Sequence, residues 1–490
     1  MAAAGYVPRH RLDRAEIREF FRAGGVGSGQ RSVAGYDEDT TTMGQAATQA
    51  LLSDLSPAAS DVVSTVEPIT PGEGQGKQGT LMPSSLWFST TTPAYLDKNN
   101  SSIMDAALDM HAGDPIDVGG ALRSGPAMLR TALASQGGPQ IMAVATDMRT
   151  GLPTSDDEAL GGDGAAAVLI RDDSEQAPVI AQYIGGACAS SASLERWRLP
   201  DGSMSTTWEE RLGELFAEWV LEGPVQTANI QAEIINLGVQ HIGVTGMNAR
   251  LARAVRKKLH SYHPKAAFID IFDDTVGTTG TAHMSLMLCA ALERAQPGEV
   301  IMLVSVDDGA DVVILQATNA IANFKPMCPV SAQVAAGKPV SYGRFLAWRE
   351  MVQVQPPNRP APTRPSTPAV SRQHGWKYGL RARKDPQTQV LQTSPQRTFN
   401  WRESPEMRYT NLATQTANVR SFAVDRLADS PNPPVIMAVL DFDGGECMPM
   451  ELTDVSPDEV VPGMQVEPTF RRMYTAEGVH NYFWKARPVL

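Results

Sequence analysis

The stretch Asp117–Leu133 (DVGGALRSGPAMLRTAL) joins a Gly-Gly turn to the start of an apolar helix. The first turn of a helix offers unpaired N–H groups and the positive end of the helix dipole, which together favour a thiolate nucleophile. This stretch contains no cysteine, and Ser124 carries the hydroxyl closest to the turn. The position therefore suits an anionic nucleophile, but the stretch supplies no thiolate.

Cys188, Cys289, Cys328 and Cys447 are scattered along the chain and form no Cys-x-x-Cys pair. Closely spaced cysteine pairs are typical of zinc ribbons, and sets of cysteines in small secreted chains are typical of disulfide frameworks. We therefore predict four reduced thiols in a cytoplasmic protein, with neither a disulfide framework nor a metal site.

Two charged clusters could contact ligands. The acids Asp37–Asp39 precede a helix with a threonine at its start, and we predict that they are solvated charges at the helix N-terminus. A second helix carries Arg253, Arg256, Lys257 and Lys258. Fixed cations of this kind can bind phosphate groups, although a solvated helix face explains the same pattern.

The composition excludes several classes of function. The chain has 490 residues, 42% of them hydrophobic and 20% charged, which indicates a soluble globular protein with two or three cores. Its net charge of -12 argues against a nucleic-acid or anionic-membrane partner. No apolar run reaches the roughly 20 residues of a membrane span, and the N-terminus lacks the pattern of a signal peptide.

An internal repeat organises the first part of the chain. Gln140–Asp147 (QIMAVATD) is followed by Asp163–Ile170 (DGAAAVLI), and Glu299–Val306 (EVIMLVSV) is followed by Asp308–Leu315 (DGADVVIL). In each copy a β-rich apolar run precedes an Asp-Gly-Ala that opens a second apolar run. Continuous apolar strands that alternate with helices indicate sheets covered on both faces. Two stacked copies predict an α/β domain with layered α-β-α-β-α architecture.

Changes in composition suggest the domain boundaries. We predict an α/β domain at 1–325 with pseudo-repeats of about 1–175 and 176–325, a proline-rich linker at 326–372, and a small all-β domain at 373–490. Short strands between Pro-rich and Gly-rich turns favour an OB-like barrel for the last domain. The segment 56–83 has little periodicity and is predicted to be a surface insertion rather than a lid.

Several segments share a pattern with a known superfamily. In the first 325 residues these are Tyr6–Ile17, Arg31–Gly44, Leu86–Lys98, Gly120–Leu129 and Val276–Leu286. In the tail they are His374–Leu380, Thr393–Arg397, Ala438–Val455 and Val479–Pro488. The first set resembles the thiolase-like superfamily, in its hydroxymethylglutaryl-CoA synthase and ketoacyl synthase III branch. The second set resembles the zinc-ribbon/OB-fold domain that accompanies thiolases and acyl-CoA synthases.

Enzymes of this branch use a cysteine thiolate, a general acid/base and hydrogen-bond donors for the developing oxyanion. The resemblance places the cysteine at Leu122, the histidine near Thr245, the asparagine at Thr278 and the synthase glutamate near Thr91. None of these residues supplies the chemistry of the residue that it replaces. Candidates to compensate are Ser124, His283 and His241. Ser124 lies about 200° around the helix from Leu122 and is expected to face elsewhere.

The resemblance also implies ligand sites. The zinc-binding cysteines of the tail's relatives fall on Lys384, Gln387, Phe399 and Arg402. No zinc is therefore expected, because zinc ribbons need thiolate ligands. Arg31 matches an arginine that contacts the CoA phosphates in ketoacyl synthase III relatives. Arg253, Arg256 and Lys257 are further candidates for CoA binding.

Together these features predict a non-catalytic thiolase-fold subunit that binds an acyl-CoA or scaffolds an active thiolase or acyltransferase. The resemblance implies a homodimer and makes a hetero-complex plausible by analogy. Two alternatives stay open. The chain is an acyltransferase with a non-cysteine site, or it is a structural protein without affinity for CoA.

Overall fold

The computed structural model describes most of the chain. The described residues are 1–22, 27–55, 83–135, 137–173, 179–192, 194–200, 202–208, 213–355, 359–384, 391–392, 398–399, 402–403, 408–443 and 445–489. The predicted insertion at 56–83 lies almost wholly outside them. No helix in these ranges is long and apolar enough to cross a membrane.

The first half of the α/β domain forms a mixed sheet. Its strands are β1 (Ala2–Tyr6), β2 (His10–Asp13), β3 (Gln30–Val33), β4 (Ser85–Ser89), β5 (Asp114–Asp117), β6 (Ile141–Asp147) and β7 (Gly164–Ile170). Its helices are α1 (Arg14–Phe21), α2 (Thr40–Leu55), α3 (Ser101–Leu108), α4 (Ser124–Ala134) and α5 (Asp156–Leu160). The strand order of the mixed sheet is β1-β7-β6-β4-β5, with β4 parallel to both β5 and β6. The strands β2 and β3 pair with each other in a separate, smaller sheet.

The second half repeats this order. Its strands are β8 (Ala181–Ser190), β9 (Arg196–Trp197), β10 (Thr206–Thr207), β11 (His241–Thr245), β12 (Ala267–Phe268), β13 (Val300–Ser305) and β14 (Gly309–Ala317). Its helices are α6 (Gly213–Val220), α7 (Gln226–Gln231), α8 (Ile234–Leu237), α9 (Ala249–Tyr262) and α10 (His283–Leu292). The sheet order β8-β14-β13-β11-β12 matches that of the first sheet, which confirms the predicted duplication.

The two sheets enclose a central helical layer. Every residue of α10 is buried, as expected for a helix between two sheets that is apolar on all sides. Alternate side chains of β6 pack on different helices. Met142 and Val144 join the core that contains α2. Ile141, Ala143 and Ala145 pack with α4. On the far side, α6 and α9 cover the outer face of β11 and β13. The predicted layered α-β-α-β-α fold is confirmed.

The range predicted as a linker is only partly extended. The helices α11 (Val330–Ala335) and α12 (Tyr342–Trp348) flank the short strand β15 (Lys338–Pro339), which pairs with β2. The side chains of α12 share a core with Leu12 and Ile17. Burial of these apolar groups joins the segment to the α/β domain, and this corrects the predicted linker start at 326. After α12, Pro360, Pro362 and Pro365 lie in a stretch without regular structure.

The tail ends in a closed barrel. The remaining helices are α13 (Thr367–Arg372) and α14 (His374–Lys377), followed by the strands β16 (Arg381–Lys384), β17 (Leu391–Gln392), β18 (Thr398–Phe399), β19 (Arg402–Glu403) and β20 (Arg408–Asn411). The barrel strands are β21 (Ala417–Asp425), β22 (Val435–Phe442), β23 (Cys447–Leu452), β24 (Gln465–Ala476) and β25 (Val479–Pro488). They close in the order β21-β22-β23-β25-β24, as predicted for an OB-like barrel.

The barrel packs directly on the α/β domain. Ile103 and Ala107 of α3 belong to the barrel's hydrophobic core. The acids Asp37, Glu38 and Asp39 lie at the same interface and are buried, so the prediction that they are solvated is wrong. The reason is that residues far along the chain neutralise them. We call these acids and their barrel partners Arg471 and Lys485 the interface ion cluster.

The interface ion cluster consists of close pairs. Lys485 Nζ is 3.0 Å from Asp37 Oδ2, and Arg471 pairs with Glu38 through Nη1. The Tyr482 hydroxyl donates to Asp39 Oδ2 at 2.7 Å. Although burial opposes it, the Lys485 ammonium holds the pKa of Asp37 below its usual value. Asp37 therefore stays ionised at neutral pH, and the interface ion cluster binds the barrel to the α/β domain.

Candidate functional site

A cleft of about 2040 Å³ opens at the carboxyl ends of the parallel strands of both sheets. The loops that follow β4, β6, β11 and β13 all contribute to its walls. In open α/β sheets this edge is where ligands bind, because the loops there converge while the strands hold them rigidly. The cleft is therefore the leading candidate for a functional site.

Leu122, Thr91, Thr245 and Thr278 all line this one cleft. Leu122 lies in the turn two residues before α4 begins at Ser124. Its side chain has no lone pair and cannot form an acyl-enzyme.

Gly125 lets the starts of α4 and α10 approach each other beside the cleft. A Cβ atom at Gly125 would lie 2.1 Å from the backbone oxygen of Thr281, so only glycine permits this approach. Thr281 lies two residues before the start of α10, and Gly125 is the second residue of α4. The close approach of the two helix starts therefore requires glycine at position 125 whether or not a nucleophile is present.

The hydroxyl of Thr91 is committed to internal hydrogen bonds. It donates to Asp147 Oδ1 at 2.9 Å, and the backbone N–H of Thr91 donates to the same oxygen at 2.7 Å. Arg149 Nη1 in turn donates to the Thr91 hydroxyl at 3.0 Å. Asp147 also accepts from the backbone N–H of Thr281 at 2.9 Å. This network holds the cleft wall and leaves Thr91 unsuited to the proton transfer of a glutamate.

Thr245 and Thr278 are the other two positions at which the resemblance implied a catalytic residue. Thr245 ends β11, and its carbonyl accepts a hydrogen bond from Val306 at 2.9 Å. Thr278 bridges to Gly161 of the first half of the domain, and its N–H donates to Leu160 at 2.8 Å. Hydroxyls at these positions have pKa values far from neutrality, so they cannot replace an imidazole as a general base.

His283 is the one compensating candidate that lines the cleft among the described residues. Its Nδ1 accepts a hydrogen bond from the Thr279 N–H at 3.1 Å, and its ring also donates to the Ile271 carbonyl. Burial lowers the pKa of His283 to about 4, an effect that the hydrogen bond to Ile271 partly opposes. His283 is therefore neutral at physiological pH with both ring nitrogens occupied, which is unsuitable for a general base.

This depressed pKa predicts a pH-dependent stability. Between pH 7.5 and 5 the unfolded chain protonates His283 while the folded chain does not, so folding loses about 2 kcal/mol from this residue. In His283→Asn the amide oxygen takes the place of Nδ1 and does not titrate. We expect denaturant titrations at both pH values to show a loss about 2 kcal/mol smaller for the variant. Equal losses in the two proteins would contradict the neutral assignment.

The structure does not bring Ser124, His241 or Arg31 into the cleft. The Ser124 hydroxyl accepts from the Ala121 N–H at 3.3 Å within its own turn. His241 begins β11 and pairs with Glu299 at 2.7 Å, at the strand end opposite the cleft. The roles considered for Ser124 and His241 are therefore not supported by their positions.

Arg31 has an internal structural role. Its side chain is fully buried, donates to the backbone oxygens of Glu158 and Arg149 at 2.6 and 2.7 Å, and lies 3.3 Å from Asp163. A guanidinium enclosed in this way cannot reach a phosphate in the cleft. The CoA contact that the resemblance implied for Arg31 is therefore corrected.

The basic face of α9 contributes to the cleft only in part. Arg253 and Arg256 line it, whereas Lys257 is exposed and does not line it. Asn248 caps the helix by accepting from the N–H groups of Arg250 and Leu251, which fixes where α9 starts. Two of the three α9 cations considered for CoA binding thus line the cleft.

The sequence motifs missed several cleft residues. These are Arg149, Arg196, Arg198 and Asp307. Arg149 and Asp307 each come two residues after the end of a central strand, and this placement could have indicated them. Burial raises the pKa of Asp307, which accepts from the Met247 N–H at 2.9 Å. Arg196 and Arg198 belong to the segment ERWRLP, where basic and apolar residues alternate.

In the part of the chain that the structure describes, no three His, Cys, Asp or Glu side chains are grouped so as to hold a metal ion. The resemblance placed the zinc-binding cysteines of the relatives at four positions of this chain. Of these, Gln387 lies outside the described residues, and the structure does not describe the side chains of Lys384, Phe399 and Arg402.

Comparisons with known proteins agree with both parts of the fold. The family "ChsH2, C-terminal OB-fold domain" matches residues 411–471. MvaS in complex with 3-hydroxy-3-methylglutaryl coenzyme A is 17% identical, covers 74% of this chain and 93% of its own, and has a TM-score of 0.55. No curated protein sequence matches the chain.

Two further solved structures show the same similarity. β-Ketoacyl-[acyl carrier protein] synthase III from Thermus thermophilus is 18% identical, with 65% of this chain and 98% of that chain covered and a TM-score of 0.50. The HMG synthase of the curacin biosynthetic pathway, in complex with an acetyl donor acyl carrier protein, is 15% identical, with coverages of 71% and 87% and a TM-score of 0.52. The chain therefore combines a thiolase-like fold, of the kind found in HMG-CoA synthases and ketoacyl synthase III, with a C-terminal OB-fold domain.

Proposed function

We propose that this protein binds an acyl-CoA in the cleft without forming an acyl-enzyme at Leu122. The observation that carries the proposal is that Leu122, Thr91, Thr245 and Thr278 line one cleft and supply no thiolate, imidazole, amide or carboxylate. Acyl transfer through a thioester intermediate needs a nucleophile and a base, whereas binding needs neither.

Cations of α9 support CoA as the ligand. Arg253 and Arg256 lie on the cleft wall, where a guanidinium can make charge-assisted hydrogen bonds to phosphate. Among proteins of similar fold, one structure contains 3-hydroxy-3-methylglutaryl coenzyme A and another an acyl carrier protein. The cleft volume of about 2040 Å³ exceeds the roughly 300–1,000 Å³ of ordinary small-molecule sites, as an extended thioester requires.

The proposal predicts a measurable stabilisation by CoA. At 100 times its dissociation constant, CoA should raise the free energy of unfolding by about 2.7 kcal/mol. We expect Arg253→Gln to weaken CoA binding by about three- to tenfold, since one phosphate contact is lost. Lys257→Gln is the matched control, because this neighbouring cation is outside the cleft wall. Isothermal titration and thermal unfolding with CoA measure both effects.

The alternatives give different results in these experiments. A structural protein without CoA affinity would show neither heat of binding nor a shift in melting temperature. An acyltransferase with a non-cysteine site would accumulate an acyl adduct when incubated with acetyl-CoA or acetoacetyl-CoA, and intact-protein mass spectrometry would detect it. Binding without an adduct is the result that we expect.

Partner chains are part of the same proposal. Among the described strands, β5 pairs only with β4 and is an edge of the first sheet. An open edge can add a strand from another copy, which supports a homodimer in which the sheets are continuous. The missing nucleophile supports a scaffolding role beside an active thiolase or acyltransferase. Co-purification from the native host tests this role, and recovery of the chain without any such enzyme would contradict it.

A further inference from the structure

His480 of the barrel contacts the rim of the cleft. Tyr95 and Leu96 follow β4 and line the cleft, and Tyr95 also packs against the barrel's hydrophobic core. His480 is the second residue of β25, and its ring centroid lies 4.8 Å from that of Tyr95. We call residues 93–96 the rim segment. Tyr95 therefore touches the cleft on one side and the barrel on the other.

Hydrogen bonds hold His480 between the rim segment and β24. The backbone N–H of His480 donates to the Tyr95 hydroxyl at 2.7 Å. The imidazole ring donates to the Ala94 carbonyl, and its Nδ1 lies 2.8 Å from the Thr475 hydroxyl oxygen. A neutral imidazole has one donor and one acceptor nitrogen, which matches these two partners. The neutral ring is therefore the form that fits this contact.

The surroundings of His480 oppose a positive charge on its ring. Burial lowers the pKa of His480, and the guanidinium of Arg472 lowers it further. The carboxylates of Asp39 and Glu350 act in the opposite direction, but the pKa remains below its usual value. The titratable and charged groups around the ring are Arg472, Asp39, Glu350, Tyr95 and Tyr482. A protonated ring is therefore more stable in water than against the rim segment.

Release of the rim segment would be local, because both of its ends are anchored. The carbonyl of Thr92, just before the segment, accepts from the Thr40 hydroxyl at 2.9 Å. The side chain of Asn100 accepts from the Tyr95 N–H at 3.1 Å and donates to the Tyr95 carbonyl at 2.9 Å. His480 is half-buried, so its ring can turn toward solvent without unfolding of the barrel.

We infer, on the basis of the proposed function, that His480 is a positioning residue that makes ligand binding in the cleft sensitive to pH. The neutral ring holds Tyr95 and the rim segment in the geometry that receives the ligand. Protonation turns the ring toward solvent, which frees the rim segment and weakens binding. Because linkage is reciprocal, a bound ligand makes His480 harder to protonate.

CoA titrations of the whole chain at pH 7.5 and 5.5, on either side of the ordinary histidine range, test the inference. His480→Gln keeps an amide donor for the Ala94 carbonyl and does not titrate. The CoA phosphates titrate equally in every experiment, so the quantity compared is the ratio of affinities at the two pH values. We expect this ratio to be about fivefold larger in the unsubstituted protein than in His480→Gln, as is typical of linked sites.

Two further variants separate positioning from a merely structural role. His241→Gln removes a histidine at the strand end opposite the cleft and should keep the ratio of the unsubstituted protein. Arg472→Gln removes a cation that opposes protonation of His480, so affinity should fall at a higher pH than in the unsubstituted protein. If His480→Gln lowers affinity by the same factor at both pH values, its role is structural and the inference is overturned.

Hydrogen exchange measures the release without a ligand. After correction for intrinsic rates, amides of residues 94–100 should exchange about fivefold faster at pH 5.5 than at pH 7.5 in the unsubstituted protein, and equally in His480→Gln. Protection that does not change with pH would overturn the inference even if no CoA binds. Faster exchange at pH 5.5 together with no CoA binding at either pH would overturn the proposed function instead.

Discussion

Replacing Arg471 with methionine is expected to lower the free energy of unfolding by about 3–5 kcal/mol, because it leaves two buried carboxylates without their partner. Arg471 is 1% exposed, pairs with Glu38 and lies 2.7 Å from Asp454. Methionine fills a similar space, so the loss reports the unpaired charges rather than a cavity. Denaturant unfolding followed by circular dichroism measures the change.

A surface ion pair provides the matched control. Lys338 pairs with Glu459, and the two side chains are 31% and 43% exposed. Lys338→Met should cost at most about 1 kcal/mol, because solvent screens the pair. Adding Glu38→Gln to Arg471→Met should recover part of the loss by removing one stranded charge. If Arg471→Met is no more destabilising than Lys338→Met, the interface ion cluster does not hold the barrel on the α/β domain.

Introducing a cysteine at position 122 is expected to let the protein accept an acyl group from an acyl-CoA. In Leu122→Cys the thiol would lie in the cleft beside the start of α4, where the helix dipole favours the thiolate. Incubation with acetyl-CoA should then add the mass of one acetyl group to the intact protein. The unsubstituted chain should remain at its original mass. Turnover is not expected, because Thr245 supplies no general base.

Ser124→Cys is the control for this experiment. Residue 124 belongs to the same helix start but does not line the cleft. Its thiol should therefore remain unmodified under conditions that acylate Leu122→Cys. Equal acylation of both variants would indicate non-specific thiol reactivity, and acylation of the unsubstituted chain would contradict the proposed absence of an acyl-enzyme.

Buried strands could be predicted from the sequence almost to the residue. The predicted Gln140–Asp147 is observed as Ile141–Asp147, and the predicted Glu299–Val306 as Val300–Ser305. A strand between two helical layers must be apolar on both faces, so its composition alone marks it. The helix after the Gly-Gly turn was also predicted, although α4 begins at Ser124 rather than at Gly120.

Charged residues were less predictable, because their environment depends on distant partners. Asp37 is buried beside Thr453, 416 residues away, and its other partner Lys485 is still farther along the chain. Arg31 matched a phosphate-binding arginine by motif, yet Asp163 and two backbone carbonyls enclose it. Local sequence shows that a charge is present, whereas the fold decides whether solvent, a ligand or another side chain neutralises it.

The sequence by itself determined the duplicated α/β architecture, the barrel in the tail and the absence of a cysteine from the stretch Asp117–Leu133. These features depend on residue type and on periodicity along one segment. Only the tertiary structure decided that Leu122, Thr91, Thr245 and Thr278 share one cleft with Arg149, Arg196 and Arg198. A binding site is assembled from loops of separate strands, and the distances among them are set by packing of the two sheets on their central helices.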